Sequence, residues 1–264
     1  SCCVFQPNGE VVVQSRSNPS HLGSMVFALR AIQRGRLVAA TSYAQSATWT
    51  YVPAAKFDTI FRAIADSVTI TNARAVVLSV PMPSKTVGLR AGNELWVDRV
   101  ALAAAGITVN TDCNGSTNLV YTPAVVPVLA YLAAGTGSAR ALSCTDIPGT
   151  DDAILTAADL ATLDAQVTAM NTTLQSVAQA KGWAFADLSP LFDSAMASRG
   201  SYRATAELGC ASPYGQYLSA DGVHPNLVGH QVIASLVAEA VNAKYGFAFP
   251  TSKPTGIAAA QLCP

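Results

Sequence analysis

Charge is what this sequence has least of. Only 12% of its 264 residues are Asp, Glu, Lys or Arg, about half the share of an ordinary soluble domain. Sixteen basic and sixteen acidic residues cancel, so no basic surplus exists to neutralise phosphates, and nucleic acid is excluded as a partner class. Histidine is scarce, with three in the chain, and no two cysteines stand at C-x-x-C spacing. Neither a metal nor a cofactor is therefore expected. No apolar run reaches the ~20 residues of a transmembrane helix. The nearest, Leu119 to Ala134, is uncharged but carries Pro123 and Pro127. It reads as a buried helix plus loop; the alternative is an apolar surface meeting a partner, a lipid or a membrane face. The opening SCCVFQPNGE lacks the charged start and apolar core of a leader, so a leader is expected to have been removed before Ser1.

What is present is apolar: half the residues are hydrophobic, which excludes a disordered chain. The length suits one large α/β domain or two small ones. Cys2, Cys3, Cys113, Cys144, Cys210 and Cys263 make an even count, and the reading is a disulfide framework formed in an oxidising, extracytoplasmic compartment. Cys113 and Cys144 bracket one Gly/Ser/Thr-rich excursion and are the favoured pair. Cys2 and Cys3 are expected to reach separate partners, Cys210 and Cys263. The long stretch without charge from Asn114 to Ala139 suggests a surface covered by a protein partner, such as a membrane complex that this chain braces from outside.

Short β-rich runs alternate with longer helical patterns, which predicts a parallel sheet covered by helices. Candidate strands are Val11–Val13, Thr48–Val52, Ala75–Val80, Ile107–Val109 and Trp183–Leu188. Phe57, Ile60, Phe61, Ile64 and Val68 form one helical stripe. A helix from about Thr156 to Lys181 opens on a capping box, Thr156 with Asp159, and stops at Gly182. Asn226 caps a last helix ending near Gly246. Residues 81–148 read as an irregular Gly/Cys-rich insertion within a single domain of residues 1–249, and 250–264 as an extended tail.

The sharpest motif is Asp221-Gly222-Val223-His224-Pro225, followed by Asn226. An Asp three residues before a His, on a turn bounded by Gly and Pro, can hold Nδ1–H and leave Nε2 as a general base. This D-x-x-H-P turn before a C-terminal helix resembles the last block of the SGNH (GDSL-type) hydrolases. The similarity spans roughly Phe57 to Gly246. It implies a three-layer α/β/α fold with a short parallel sheet, and ester hydrolysis by a serine nucleophile.

The family's other parts are missing from the chain. There is no Gly-Asp-Ser and no Asn-Asp pair. Gly23-Ser24 reads as the start of a helix, Gly115-Ser116 lies in the cysteine-bracketed loop, and Pro53-Ala54-Ala55-Lys56 runs where the Asn motif is expected. Losing an oxyanion donor typically costs about 10²–10³ in rate, and without a serine the Asp221–His224 dyad has nothing to activate. The expectation is therefore a degenerate, non-catalytic extracytoplasmic binding or scaffold subunit. The alternative is a serine esterase, or a lipid or acetyl-ester hydrolase, whose nucleophile lies outside the chain, with Ser24 the weakest candidate within it. Of the remaining residues, His230 reads as a surface or capping residue, His21 as a backbone partner and Asp151-Asp152 as a solvated loop. Trp49, Trp96 and Trp183 read as core packing, with a partly exposed Trp96 as an anchor for a partner the alternative, and Asn171-Thr-Thr173 is a coincidental glycosylation triplet.

Overall fold

The apolar run from Ala75 onward forms a strand buried on both faces: Ala75, Val76 and Val77 are at most 3% exposed. The molecule is seen in a computed structural model that describes residues 3–5, 11–12, 37–38, 52–70, 73–147, 151–152, 154–197, 203–209, 212–252 and 254. The chain begins with β1 (Cys3–Phe5), β2 (Val11–Val12) and β3 (Leu37–Val38), then α1 (Ala54–Thr69) and β4 (Arg74–Leu78). There follow β5 (Leu89–Ala91), α2 (Gly92–Val97), α3 (Arg99–Ala104), β6 (Ile107–Val109), β7 (Leu119–Tyr121), α4 (Thr122–Thr136) and β8 (Arg140–Leu142). The last part holds β9 (Asp151–Asp152), β10 (Ile154–Leu155), α5 (Ala157–Ala180), β11 (Ala184–Ala186), α6 (Ser189–Ala197) and α7 (Leu227–Tyr245). The fold is mixed α/β.

Parallel pairing is found between β4 and β11 and between β6 and β8. The other pairings are antiparallel: β1 with β2 and β4, β7 with β5 and β10, and β3 with β9. The expectation of a purely parallel sheet is corrected to that extent, because an antiparallel neighbour needs no crossover helix. Alternation along β4 and β11 sends side chains to two sides. Ala75, Val77 and Trp183 pack with Phe57, Phe61 and Val68 of α1 and Leu174 and Val177 of α5. Val76, Ala184 and Ala186 pack with Val237, Ala240 and Val241 of α7.

The helices form where their sequence signals stand. Thr156 caps α5: its Oγ accepts from Asp159 N–H at 3.2 Å, and the Asp159 carboxylate accepts from Thr156 N–H at 3.3 Å. Asn226 caps α7 by accepting from Gly229 N–H at 3.0 Å, and Gly246 closes that helix.

Three expectations change. The stretch 81–148 is not irregular but built of β5 to β8 and α2 to α4 around its own cluster, which includes Leu95, Leu102, Ile107, Val120, Val126 and Leu142. Glycines such as Gly137 close elements there. The run from Leu119 is a strand followed by a helix with Pro127 inside it, and one face is buried through Val126 and Ala133. The opposite face exposes Val128, Tyr131 and Leu132, so this is not a fully buried helix. Asp151-Asp152 is not a loop, since its backbone pairs with Leu37 and Val38.

Cys113 and Cys144 are disulfide-bonded and buried. Cys2, Cys210, Cys263, Trp49 and most of the candidate strand Thr48–Val52 lie outside the described residues. Trp96 is half-buried against the 81–148 cluster, with the Arg99 guanidinium 4.6 Å from its ring centroid. Among the described residues no helix is long and apolar enough to cross a membrane.

Candidate functional site

The chain leaves the carboxyl ends of β4 and β11 into two segments that side chains pin in place. Ser79 Oγ donates to Asp187 at 3.1 Å and accepts from Leu188 N–H at 2.8 Å. From α5, Asn171 grips Val80 twice, at 2.7 and 2.9 Å, and the Asp164 carboxylate accepts from Ser84 N–H at 3.0 Å. Asn171 is therefore a structural clamp. The segment it steers ends at Gly88, and the turn carrying Asp221 and His224 sits against that glycine. Ligands of α/β proteins bind at this end of the strands, where loops converge beyond the sheet.

The turn is closed by its own backbone. Ser219 N–H donates to His224 O at 2.8 Å, Gly222 N–H to Ser219 O at 3.0 Å, and Asn226 N–H to Tyr217 O at 2.9 Å. Gly222 has φ +66°, and a Cβ there would come within 2.8 Å of the Gly88 Cα and N. Only glycine allows both that φ and that approach.

The structure brings Asp221 and His224 together. Asp221 Oδ2 lies 2.6 Å from His224 Nδ1. The other oxygen, Oδ1, accepts from Ser219 Oγ at 2.6 Å, Val223 N–H at 3.0 Å and His224 N–H at 2.9 Å. Burial would raise the carboxyl's pKa, but these donors outweigh it and bring it down to about 2. Asp221 is therefore a fixed anion at neutral pH, and it faces His224 Nδ1. An imidazole held with its Nδ1–H on a carboxylate is the arrangement in which Nε2 serves as a base. The His224 side chain is 44% exposed, so a substrate can reach it.

No family model, curated protein or solved structure matches this chain. Of the other sequence candidates, those among the described residues do not converge on the pair. His230 is exposed in the first turn of α7, its N–H donating to Asn226 O. Ser116 is engaged in the disulfide-closed loop, where its Oγ accepts from Asn118 N–H. Ser24 and His21 lie outside the described residues. Among the described residues no group of three or more His, Cys, Asp or Glu is placed to hold a metal ion.

Sequence reasoning missed the polar cluster beneath the turn. Tyr121 Oη donates to Asp221 O at 2.6 Å. The Glu207 carboxylate is bonded through Oε1 to the hydroxyls of Thr122 and Tyr214. Burial pushes Glu207 up to about 7, against the opposing pull of those hydroxyls and of Arg90. Arg90 is 5% exposed, and its Nε lies 3.4 Å from Glu94 Oε2. Thr122 and Glu207 are 85 residues apart, so no local spacing betrays them. The available signal was a run with no charge, 119–134, in which Tyr121 and Thr122 are the first polar side chains.

Proposed function

We propose that this chain carries the acid–base half of a serine ester hydrolase of the SGNH (GDSL) type, with Asp221 orienting His224 as general base. The single observation behind the proposal is the 2.6 Å contact between Asp221 Oδ2 and His224 Nδ1, with Oδ1 separately held by three donors. Packing of α1 and α5 against one side of β4 and β11, and of α7 against the other, agrees with the three-layer arrangement of that family. The Cys113–Cys144 disulfide agrees with an extracytoplasmic setting. In the reaction, His224 Nε2 takes the proton of a serine hydroxyl as its oxygen attacks the ester carbonyl. It then returns the proton to the departing alkoxide, and water releases the acyl group by the same exchange.

A second reading, the non-catalytic extracytoplasmic binding or scaffold subunit, is favoured by the absence of Gly-Asp-Ser and Asn-Asp from the chain. Val97, Val100, Val128 and Tyr131, exposed on the 81–148 region, would then meet a protein partner of a membrane-associated complex. One experiment separates the two readings. The full protein is treated with a fluorophosphonate probe and with short-chain nitrophenyl esters, and the labelled peptide is mapped. Stoichiometric labelling of one serine is expected, with turnover that His224→Ala abolishes and Asp221→Asn lowers on the order of 10³–10⁴-fold. No label and no turnover, with His224→Ala costing only about 1 kcal/mol of stability, would establish the scaffold reading instead.

A further inference from the structure

Beneath the Asp221–His224 turn lies a buried polar cluster that the proposed chemistry does not use. Its centre is Glu207, on the 3₁₀ turn Ala204–Leu208. That turn is anchored by Asp98, whose carboxylate accepts from Ala204 N–H at 2.9 Å and from Arg203 at 3.1 Å. Glu207 Oε1 meets the hydroxyls of Thr122 and Tyr214, both at most 1% exposed, while Oε2 is buried with no hydrogen-bond partner among the described residues. Thr122 in turn holds Gly88: its N–H donates to Gly88 O at 3.0 Å, and its Oγ lies 3.2 Å from the same carbonyl. Gly88 is the backbone on which Gly222 is seated, and the neighbouring Tyr121 holds the Asp221 carbonyl.

We infer that Glu207 is a positioning residue for the Asp221–His224 turn, acting through the Thr122 hydroxyl on the Gly88 backbone. The mechanism is an exchange of one hydrogen bond. With Glu207 ionised, Thr122 Oγ–H donates to the carboxylate, and Gly88 O keeps only the Thr122 N–H. With Glu207 protonated, its own O–H donates to Thr122 Oγ, and the Thr122 proton turns to Gly88 O. Tyr214 donates to Glu207 in both states, because burial pushes its phenol well above the usual range, as it does for Tyr121. Burial likewise holds Glu207 near neutrality, so both arrangements are populated at physiological pH.

Among the described residues, the charged and titratable groups around Glu207 are few. Arg90 on β5 faces it, with Glu94 of α2 behind. Asp98 and Arg203 pair with each other. Arg99 on α3 is stacked on Trp96. The α4 helix packed against the turn offers no charge and only an exposed Tyr131. Asp221 and His224 stand beyond Gly88.

The catalytic consequence rests on the hydrolase reading, whereas the coupling itself does not, so the test has two arms. In the first, the amide resonances of Gly88 and Gly222 are followed against pH. An inflection between about pH 6 and 8 is expected that persists in His224→Ala, vanishes in Glu207→Gln and Thr122→Val, and returns in Thr122→Ser. In the second, the pH dependence of kcat is measured on a nitrophenyl ester. Thr122→Val is expected to lower kcat about tenfold with KM little changed, and Glu207→Gln to flatten the profile over the same range. Coupling seen by resonance without turnover would leave Glu207 a positioning residue while the hydrolase reading fell. Glycine resonances that ignore Glu207, or that follow it equally in Thr122→Val, would overturn the inference.

Discussion

At Gly222 the chain does something no other residue could do. The backbone is left-handed there, and the missing side chain lets Gly88 approach. The fixed carboxylate of Asp221 and the orientation of His224 both follow from the way this turn closes. Gly222→Ala is expected to lower stability by about 2–4 kcal/mol, because the new Cβ meets backbone that cannot swing aside. Gly246, with φ +69° and nothing within 4 Å of an added Cβ, supplies the control: Gly246→Ala pays for the φ alone, about 1 kcal/mol. Urea titration of the two variants checks the contrast, and equal losses would show that the Gly88 contact is immaterial.

At the scale of elements, what was legible in the sequence is what is local. The Asp221–His224 pair is separated by three residues, so its geometry follows from one turn. The capping box at Thr156, the cap at Asn226 and the stop at Gly246 act within four residues of a helix end. The stripe from Phe57 to Val68 marks α1 because period alone decides which face is buried. The helix α4 was harder to read: Pro127 argues against a helix, yet it stands in the second turn, where proline removes one intrahelical donor and the helix continues to Thr136. The cluster around Glu207 was invisible because its members come from β5, the start of α4 and the turn near 204–214. The caps differ in reach. Thr156 serves only its own helix, so Thr156→Ala is expected to cost about 1 kcal/mol. Asn226 also donates to Gln216 O at 3.0 Å and Leu218 O at 3.2 Å, tying the helix to the turn. Asn226→Ala is therefore expected to cost about 2–3 kcal/mol, and to reduce any ester turnover as well. Melting and rate measurements on the two variants check the difference.

For the molecule as a whole, the Cys113–Cys144 tie and two opposed titrations bear on the conditions under which it is stable. The Cys113–Cys144 bond closes a loop with a sequence separation of 31, which corresponds to about 3–4 kcal/mol in the chain-entropy account. Because both cysteines are buried, reductant is expected to act only once the protein has opened. Unfolding in reductant should then occur at lower urea than without it, and superimposable curves would mean that the bond contributes nothing.

The titrations pull in opposite directions. Asp221 has a folded pKa of about 2 against an ordinary 3.8. Its contribution is therefore present above pH ~4 and is lost as pH falls toward 2, on the order of 2 kcal/mol. Asp112 and Asp187, also lowered by their hydrogen bonds, add to that acid-side loss. Glu207 is the reverse: its folded pKa is about 7 against 4.5. Between those values the native state keeps a proton that the unfolded chain has released, so stability falls as pH rises from about 4.5 to 7. The loss is on the order of 3 kcal/mol, and is complete above that range. Together these groups place the stability maximum near pH 4–5, on the acid side of the pI of about 6.8. Urea midpoints measured from pH 2 to 8 are expected to trace that maximum. Asp221→Asn should shrink the acid limb, and Glu207→Gln should flatten the neutral one. A midpoint that keeps rising to pH 7 in the wild-type protein would mean that Glu207 is ionised in the fold from pH 5 upward, and that Thr122, Tyr214 and Arg90 together outweigh its burial.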